Sequence, residues 1–227
     1  MTDIEDNLAR VRERIRCAEL AHGRVSGSVQ LLAVSKTQPA AALHAAVAAG
    51  QTRFGESYVQ EALDKIGELK ELGIEWHFIG PIQSNKTKAI AGHFDWVHSI
   101  DRLKTARRLS EQRPEALAPL NVCLQVNVSG ESSKSGVEIA DLEPLADAVV
   151  ALPRLRLRGL MAIPAPCSDF DRQREPFRRL RRAFDELRRR EPALDTLSMG
   201  MSADMEAAIA EGATMVRIGT AIFGTRR

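Results

Sequence analysis

Aromatic residues make up only 4% of this 227-residue chain: seven Phe, two Trp and one Tyr. The core must therefore be filled mainly by Ala, Leu, Val and Ile. Cysteine is also scarce. Cys17, Cys123 and Cys167 are odd in number, widely spaced and form no CxxC pair. That pattern argues against a disulfide scaffold or a structural zinc site, and free thiols in a reducing compartment are expected. Neither sign of charge is in surplus: 32 Lys plus Arg face 30 Asp plus Glu, a formal net charge of +2. This disfavours a polyelectrolyte tail and obligate nucleic-acid binding. No run of about 18 apolar residues occurs, so no membrane span is expected. The opening MTDIEDNLARVRERI is charged from its third residue and lacks the apolar stretch of a secretory signal. A cytoplasmic location is expected. His22, His44, His77, His93 and His98 show no metal-ligand spacing, so no metal is predicted.

What the chain does contain is a regular alternation of short apolar runs and helical stretches. Ile4, Leu8, Val11, Ile15 and Leu20 predict an N-terminal helix over residues 2–21. Strands are predicted at 31–35, 52–55, 75–79, 96–99, 121–128, 155–163, 196–199 and 215–218. Helices are predicted at 39–50, 57–72, 85–91, 102–111, 142–152, 174–190 and 203–211. Strict βα alternation requires a parallel sheet with crossover helices. Eight units in a chain of this length fit a (β/α)8 TIM-type barrel with an additional N-terminal helix. The runner-up, a doubly wound open sheet, commonly carries a glycine-rich turn after its first strand. Here that turn reads Ser35-Lys36-Thr37-Gln38-Pro39, without glycine. Little chain remains for an eighth helix, and the N-terminal helix is expected to cover that part of the barrel. No composition shift divides residues 1–227, so one domain is expected.

In such a barrel the chemistry lies at the carboxyl ends of the strands. Lys36 follows an apolar strand and should sit at the mouth, partly out of water. Desolvation disfavours its ammonium form, and a neutral amine is what attack on an aldehyde requires. Across the mouth, Ser198-Met199-Gly200-Met201-Ser202 and Arg217-Ile218-Gly219-Thr220 end the last two strands. Ser202 reads as the N-cap of a helix starting at Ala203, with hydroxyl and N–H groups facing an anion. Gly219 permits close backbone approach and Thr220 supplies a hydroxyl. Other strand ends add Ser57 and Met161. An amine opposite a phosphate cradle fits an aldehyde-bearing phosphate ester such as pyridoxal 5′-phosphate. Arg217, two residues before Gly219, falls on the same side of its strand. Aimed at the ring nitrogen, it would keep that nitrogen unprotonated and weaken the ring as an electron sink, disfavouring transamination.

These residues carry a resemblance. AVSKTQP (33–39), RFGESYVQEALDKI (53–66), WHFIGPIQSNKT (76–87), SKSGV (133–137), LRGLMAIP (157–164), LSMGMSADMEAAI (197–209) and MVRIGTAIFG (215–224) are similar to the YggS-type pyridoxal phosphate homeostasis proteins. The resemblance covers nearly the whole chain, in order. It implies a barrel like the N-terminal domain of bacterial alanine racemase and a Schiff base on Lys36. It places phosphate contacts at Ser202, Gly219 and Thr220 and the ring-nitrogen arginine at Arg217. Ser57 departs from the asparagine of the family's FGENYVQE.

Racemisation needs a second acid/base on the opposite face of the α-carbon. Tyr58, the only tyrosine, has no evident route there, and the direction of His77 is not legible. The expectation is a monomeric cofactor carrier that supplies apo enzymes in vitamin B6 homeostasis, with a racemase-like enzyme as the alternative. A third reading, nucleic-acid binding by the arginine-rich helix ending at Arg190, is disfavoured. Phe177, Leu180, Phe184 and Leu187 mark that helix as an amphipathic outer helix with a solvated basic side. The stretch Gly130–Gly136 resembles a P-loop in composition but lacks its spacing. Its Lys134 is expected in a loop at the mouth, guarding the site or receiving displaced cofactor.

Overall fold

The computed structural model describes residues 4–129 and 135–224. Lys134 lies outside the described residues. Eight parallel strands close a barrel in sequence order: β1 (Gln30–Val34), β2 (Arg53–Glu56), β3 (Glu75–Phe78), β4 (Trp96–Ile100), β5 (Leu120–Gln125), β6 (Leu155–Met161), β7 (Thr196–Ser198) and β8 (Met215–Ile218). Closure is made by β1 on β8, with Gln30 opposite Met215 and Ala33 opposite Ile218. The helices between them are α2 (Ala40–Ala48), α3 (Val59–Glu68), α4 (Thr87–His93), α5 (Leu103–Gln112), α6 (Leu142–Val150), α7 (Phe170–Arg190) and α8 (Met205–Ala210). The alternation of apolar runs dictates this order, because parallel neighbours can be joined only by crossovers.

The N-terminal helix α1 (Ile4–Ala21) buries Leu8, Val11, Ile15 and Ala18, one stripe at helical spacing. It packs against α2 and α8, as expected, and also against α9 (Thr220–Phe223), a one-turn helix after β8 that the sequence reading did not include. Asn7 Nδ2 donates to the carbonyl of Ile222 at 2.8 Å, tying the two ends of the chain together. Among the described residues no helix is long and apolar enough to cross a membrane.

Two interiors result. The larger lies between sheet and helices and holds Phe54, Phe78, Phe94 and Phe177, each fully buried. Phe78 meets Phe94 edge-on at 5.3 Å. The smaller lies inside the barrel, where Trp96, Cys123 and Met161 form their own cluster. Their strand neighbours Val97, Val122, Leu124 and Leu160 belong to the outer interior, as the period-two alternation of a strand requires. Most of the remaining barrel interior is polar, and the site is built on it.

The basic side of α7 is largely paired. Arg174 and Arg178 meet Glu211 at 2.6 and 3.1 Å, Arg181 meets Asp185 at 2.7 Å, and Arg190 pairs with Glu143 and Asp147. The helix begins at Phe170, earlier than the sequence reading, because the Asp169 carboxylate accepts the Arg172 N–H at 2.8 Å.

Candidate functional site

A cavity of about 310 Å³ opens at the carboxyl ends of the strands. Lys36, Ser57, Ser202, Arg217, Gly219 and Thr220 all line it. Val34, Ile79, Ile163 and Met201 give it apolar walls. Its lining includes the amine of Lys36 and the guanidinium of Arg217 and, among the described residues, no carboxylate. Such a donor set accepts an anion, and the apolar walls suit a flat ring. Of the residues singled out from the sequence, Met161 alone is placed elsewhere. It is the last residue of β6, points into the barrel and packs with Trp96 and Cys123.

Lys36 follows β1 in a tight turn. Thr37, next to it, is the one described non-glycine residue with positive φ, at 65°. A β-branched residue is costly there and persists only when its surroundings fix it. Those surroundings are a buried ionic cluster that sequence reading missed. Lys65, on α3, donates to the Ser35 carbonyl at 2.8 Å, to Glu56 at 2.8 Å and to Glu61 at 2.5 Å. The Ser35 hydroxyl donates to Glu56 at 2.6 Å, and the Thr37 N–H donates to Glu61 at 2.6 Å. The Lys36 turn is thus held on both flanks. Burial pushes the Glu56 carboxyl above its ordinary range, while the charge of Lys65 pulls it back. The i,i+4 pair Glu61–Lys65 was visible in the sequence, but an outer helix normally turns such pairs to solvent.

On the far wall, the expected N-cap at Ser202 is corrected. Helix α8 starts at Met205, with Asp204 before it. The Asp204 carboxylate accepts the Met201 N–H at 2.6 Å, and the Asp204 N–H donates to the Met201 carbonyl at 3.2 Å. Residues 201–204 are therefore spent on a turn, and Ser202 is left on the cavity wall. The carbonyls of Ser202 and Ala203 are engaged by Arg14 at 3.4 Å and Gln173 at 3.2 Å. The N–H groups of Ser202, Ala203 and Thr220 have no backbone acceptor among the described residues. Gly219 brings β8 against β1 so closely that a Cβ there would lie 3.1 Å from the Val34 carbonyl oxygen. These N–H groups and two hydroxyls belong to residues that line the cavity, where they could hold an anion.

Arg217 is buried on the barrel side of β8. It donates through Nη1 to the Ser198 carbonyl at 2.6 Å and hydroxyl at 2.8 Å, and through Nη2 to the Ala162 carbonyl at 2.9 Å. Its Nε–H and second Nη2–H have no protein acceptor among the described residues. Burial pulls its pKa down to about 10, so it stays a cation at neutral pH. Beneath it lie His77 and His98, both fully buried in the barrel. Tyr58 is exposed and does not line the cavity.

A closed eight-stranded barrel with a lysine after its first strand and N–H and hydroxyl donors lining a cavity after its last two defines a structural class. Residues 4–227 match the family described as alanine racemase, N-terminal domain, and the chain belongs to that family and, within it, to the pyridoxal phosphate homeostasis proteins. The pyridoxal phosphate homeostasis protein of Escherichia coli K12 is 60% identical, over 100% of this chain and 98% of its own length. That of Pseudomonas aeruginosa is 63% identical, over 100% and 97%. PipY of Synechococcus elongatus, solved with pyridoxal phosphate bound, is 40% identical and superposes with a TM-score of 0.85 over 97% of this chain and 100% of its own. Alanine racemase from Corynebacterium glutamicum shares the fold, at 21% identity and a TM-score of 0.70, and this chain spans 61% of it.

Proposed function

We propose that this chain binds pyridoxal 5′-phosphate at the mouth of its barrel, held covalently through Lys36. We propose that it serves intracellular vitamin B6 homeostasis and cofactor supply rather than efficient catalysis. One observation carries the reading: an amine, a buried guanidinium and a set of N–H and hydroxyl donors line one cavity with apolar walls and, among the described residues, no carboxylate. When bound, the cofactor supplies an aldehyde that condenses with an amine, releasing one water.

The chain's own residues do the rest. Lys65, Glu56 and Glu61 fix the turn that presents Lys36. Ser202, Gly219 and Thr220 receive the phosphate on uncharged donors. Arg217 meets the ring nitrogen with a group that cannot give up its proton at neutral pH, so the ring remains a weak electron sink. Ser57 is shorter than the family's asparagine and closes the wall beside Lys36. The reading as a carrier is supported by the position of Tyr58, out in solvent, and by the engagement of His77 and His98 beneath the site. Among the described residues, no imidazole, carboxyl or phenol lines the cavity to act as a second acid/base.

The reading is tested by loading purified protein and incubating it with cofactor-depleted enzymes, alongside L-alanine in deuterated water. Activation of the recipients with no Lys36-dependent deuterium at the α-carbon is expected. Rapid, Lys36-dependent deuterium incorporation with loss of optical activity identifies a racemase-like enzyme instead.

A further inference from the structure

The barrel interior contains an unbroken hydrogen-bonded chain from the opposite mouth to Arg217. Glu75, at the start of β3, lies 2.8 Å from Nε2 of His77. His77 Nδ1 lies 2.9 Å from Nε2 of His98. His98 Nδ1 lies 2.8 Å from the Ser198 hydroxyl, which accepts from Arg217 at 2.8 Å. The chain draws on β3, β4, β7 and β8. Its far end, Glu75, pairs with Arg53 at 3.1 Å and lines a second polar cavity of about 360 Å³ at the amino ends of the strands.

The two ends leave only one order of protons. Arginine can only donate, and an ionised carboxylate can only accept. Glu75 is therefore served by Nε2–H of His77. A neutral His77 then accepts at Nδ1, so His98 donates from Nε2 and accepts at Nδ1. The single Ser198 proton goes to His98, and its lone pair takes Arg217. The reverse order would set a bare His77 nitrogen against a carboxylate at 2.8 Å. Burial disfavours charge on both rings, and the bond from His77 keeps Glu75 ionised. The groups facing the rings are Glu75, Arg53, Asp95 and Arg217, with Trp96 stacked on His77 at 5.3 Å.

We infer that Glu75, His77, His98 and Ser198 are positioning residues that lock Arg217 in the orientation in which it meets the cofactor ring. This rests on the reading of Arg217 as the ring's partner. The chain ends in an arginine that keeps its proton, so it orients a group and does not conduct protons into the site.

Two measurements test it. Long-range ¹H–¹⁵N spectra of the cofactor-free protein at neutral pH should show both rings neutral with the proton on Nε2. An Nδ1–H tautomer or an imidazolium at either ring overturns the proton order. Ser198→Ala then removes the link while keeping the carbonyl that also holds Arg217. It deletes one oxygen and no carbon, so the barrel should survive. Cofactor retention should weaken about tenfold to a hundredfold, because a hydrogen bond to a charged donor is lost. The visible absorbance band of the Lys36-bound cofactor should also shift. Wild-type retention with an unmoved band overturns the positioning role. The spectra need no cofactor, so failure here is distinguishable from failure of Lys36 to bind one.

Discussion

Replacing Lys65 with Met isolates the cluster that presents Lys36. The lysine side chain is 6% exposed and that of its partner Glu56 fully buried, so neither is screened by water. Removing one member of such a pair leaves an uncompensated buried charge and costs about 3–5 kcal/mol. In a chain of this size that lowers the melting temperature by roughly 10 °C. The cost also depends on pH. Glu56 is already raised by burial and loses its strongest counterweight in the variant. It then sheds the penalty by taking a proton. A carboxyl raised in the folded state favours folding below its unfolded pKa, about 4.3, and that advantage fades as pH rises. The gap between wild type and Lys65→Met, read from urea midpoints, should therefore be wider at pH 8 than at pH 5. The double variant Glu56→Gln/Lys65→Met should regain part of the loss, since no buried charge remains. A gap below about 1 kcal/mol, within the range of an exposed pair, refutes the reasoning, as does one that ignores pH.

Two further outcomes are expected. Burial pushes His77 and His98 below the ordinary imidazole range, so the unfolded chain takes up protons first as pH falls below about 6.5. Stability present above that value should drop toward pH 5, and His98→Gln should reduce the drop by about 1 kcal/mol per pH unit, as urea midpoints would show; an unchanged slope contradicts the burial of a neutral ring. The Cys123 thiol is pushed up to about 12 by burial, which leaves a thiolate fraction on the order of 10⁻⁴ at pH 8. Iodoacetamide followed by peptide mapping should label it only after denaturation, and native labelling at the rate of a free thiol contradicts its place inside the barrel.

Much of this molecule is legible in its sequence because one rule dominates it. Short apolar runs alternating with amphipathic stretches leave a parallel barrel as the economical solution, and strand ends then mark the mouth. Lys36, Ser202, Arg217, Gly219 and Thr220 were placed at the mouth that way, and they line its cavity. What was not legible depends on directions and on distant pairings. Met161 ends its strand, which was expected to run on to 163, and the strand's alternation turns it inward. Ser202 was displaced as a cap because Asp204, two residues on, competes for the same turn. Lys65 reads as an outer-helix lysine, and only the approach of Glu56 from β2 makes its burial tolerable. His98 and Ser198 meet across the barrel from positions 100 residues apart, and no local pattern announces such a contact.

The central claim is a covalent bond at one lysine. Borohydride reduction of the protein loaded with pyridoxal 5′-phosphate, followed by peptide mass mapping, reads it directly. A pyridoxyl adduct on the peptide carrying Lys36, absent from Lys36→Ala, is the predicted result. An adduct confined to other lysines, or none at saturating cofactor, contradicts the account.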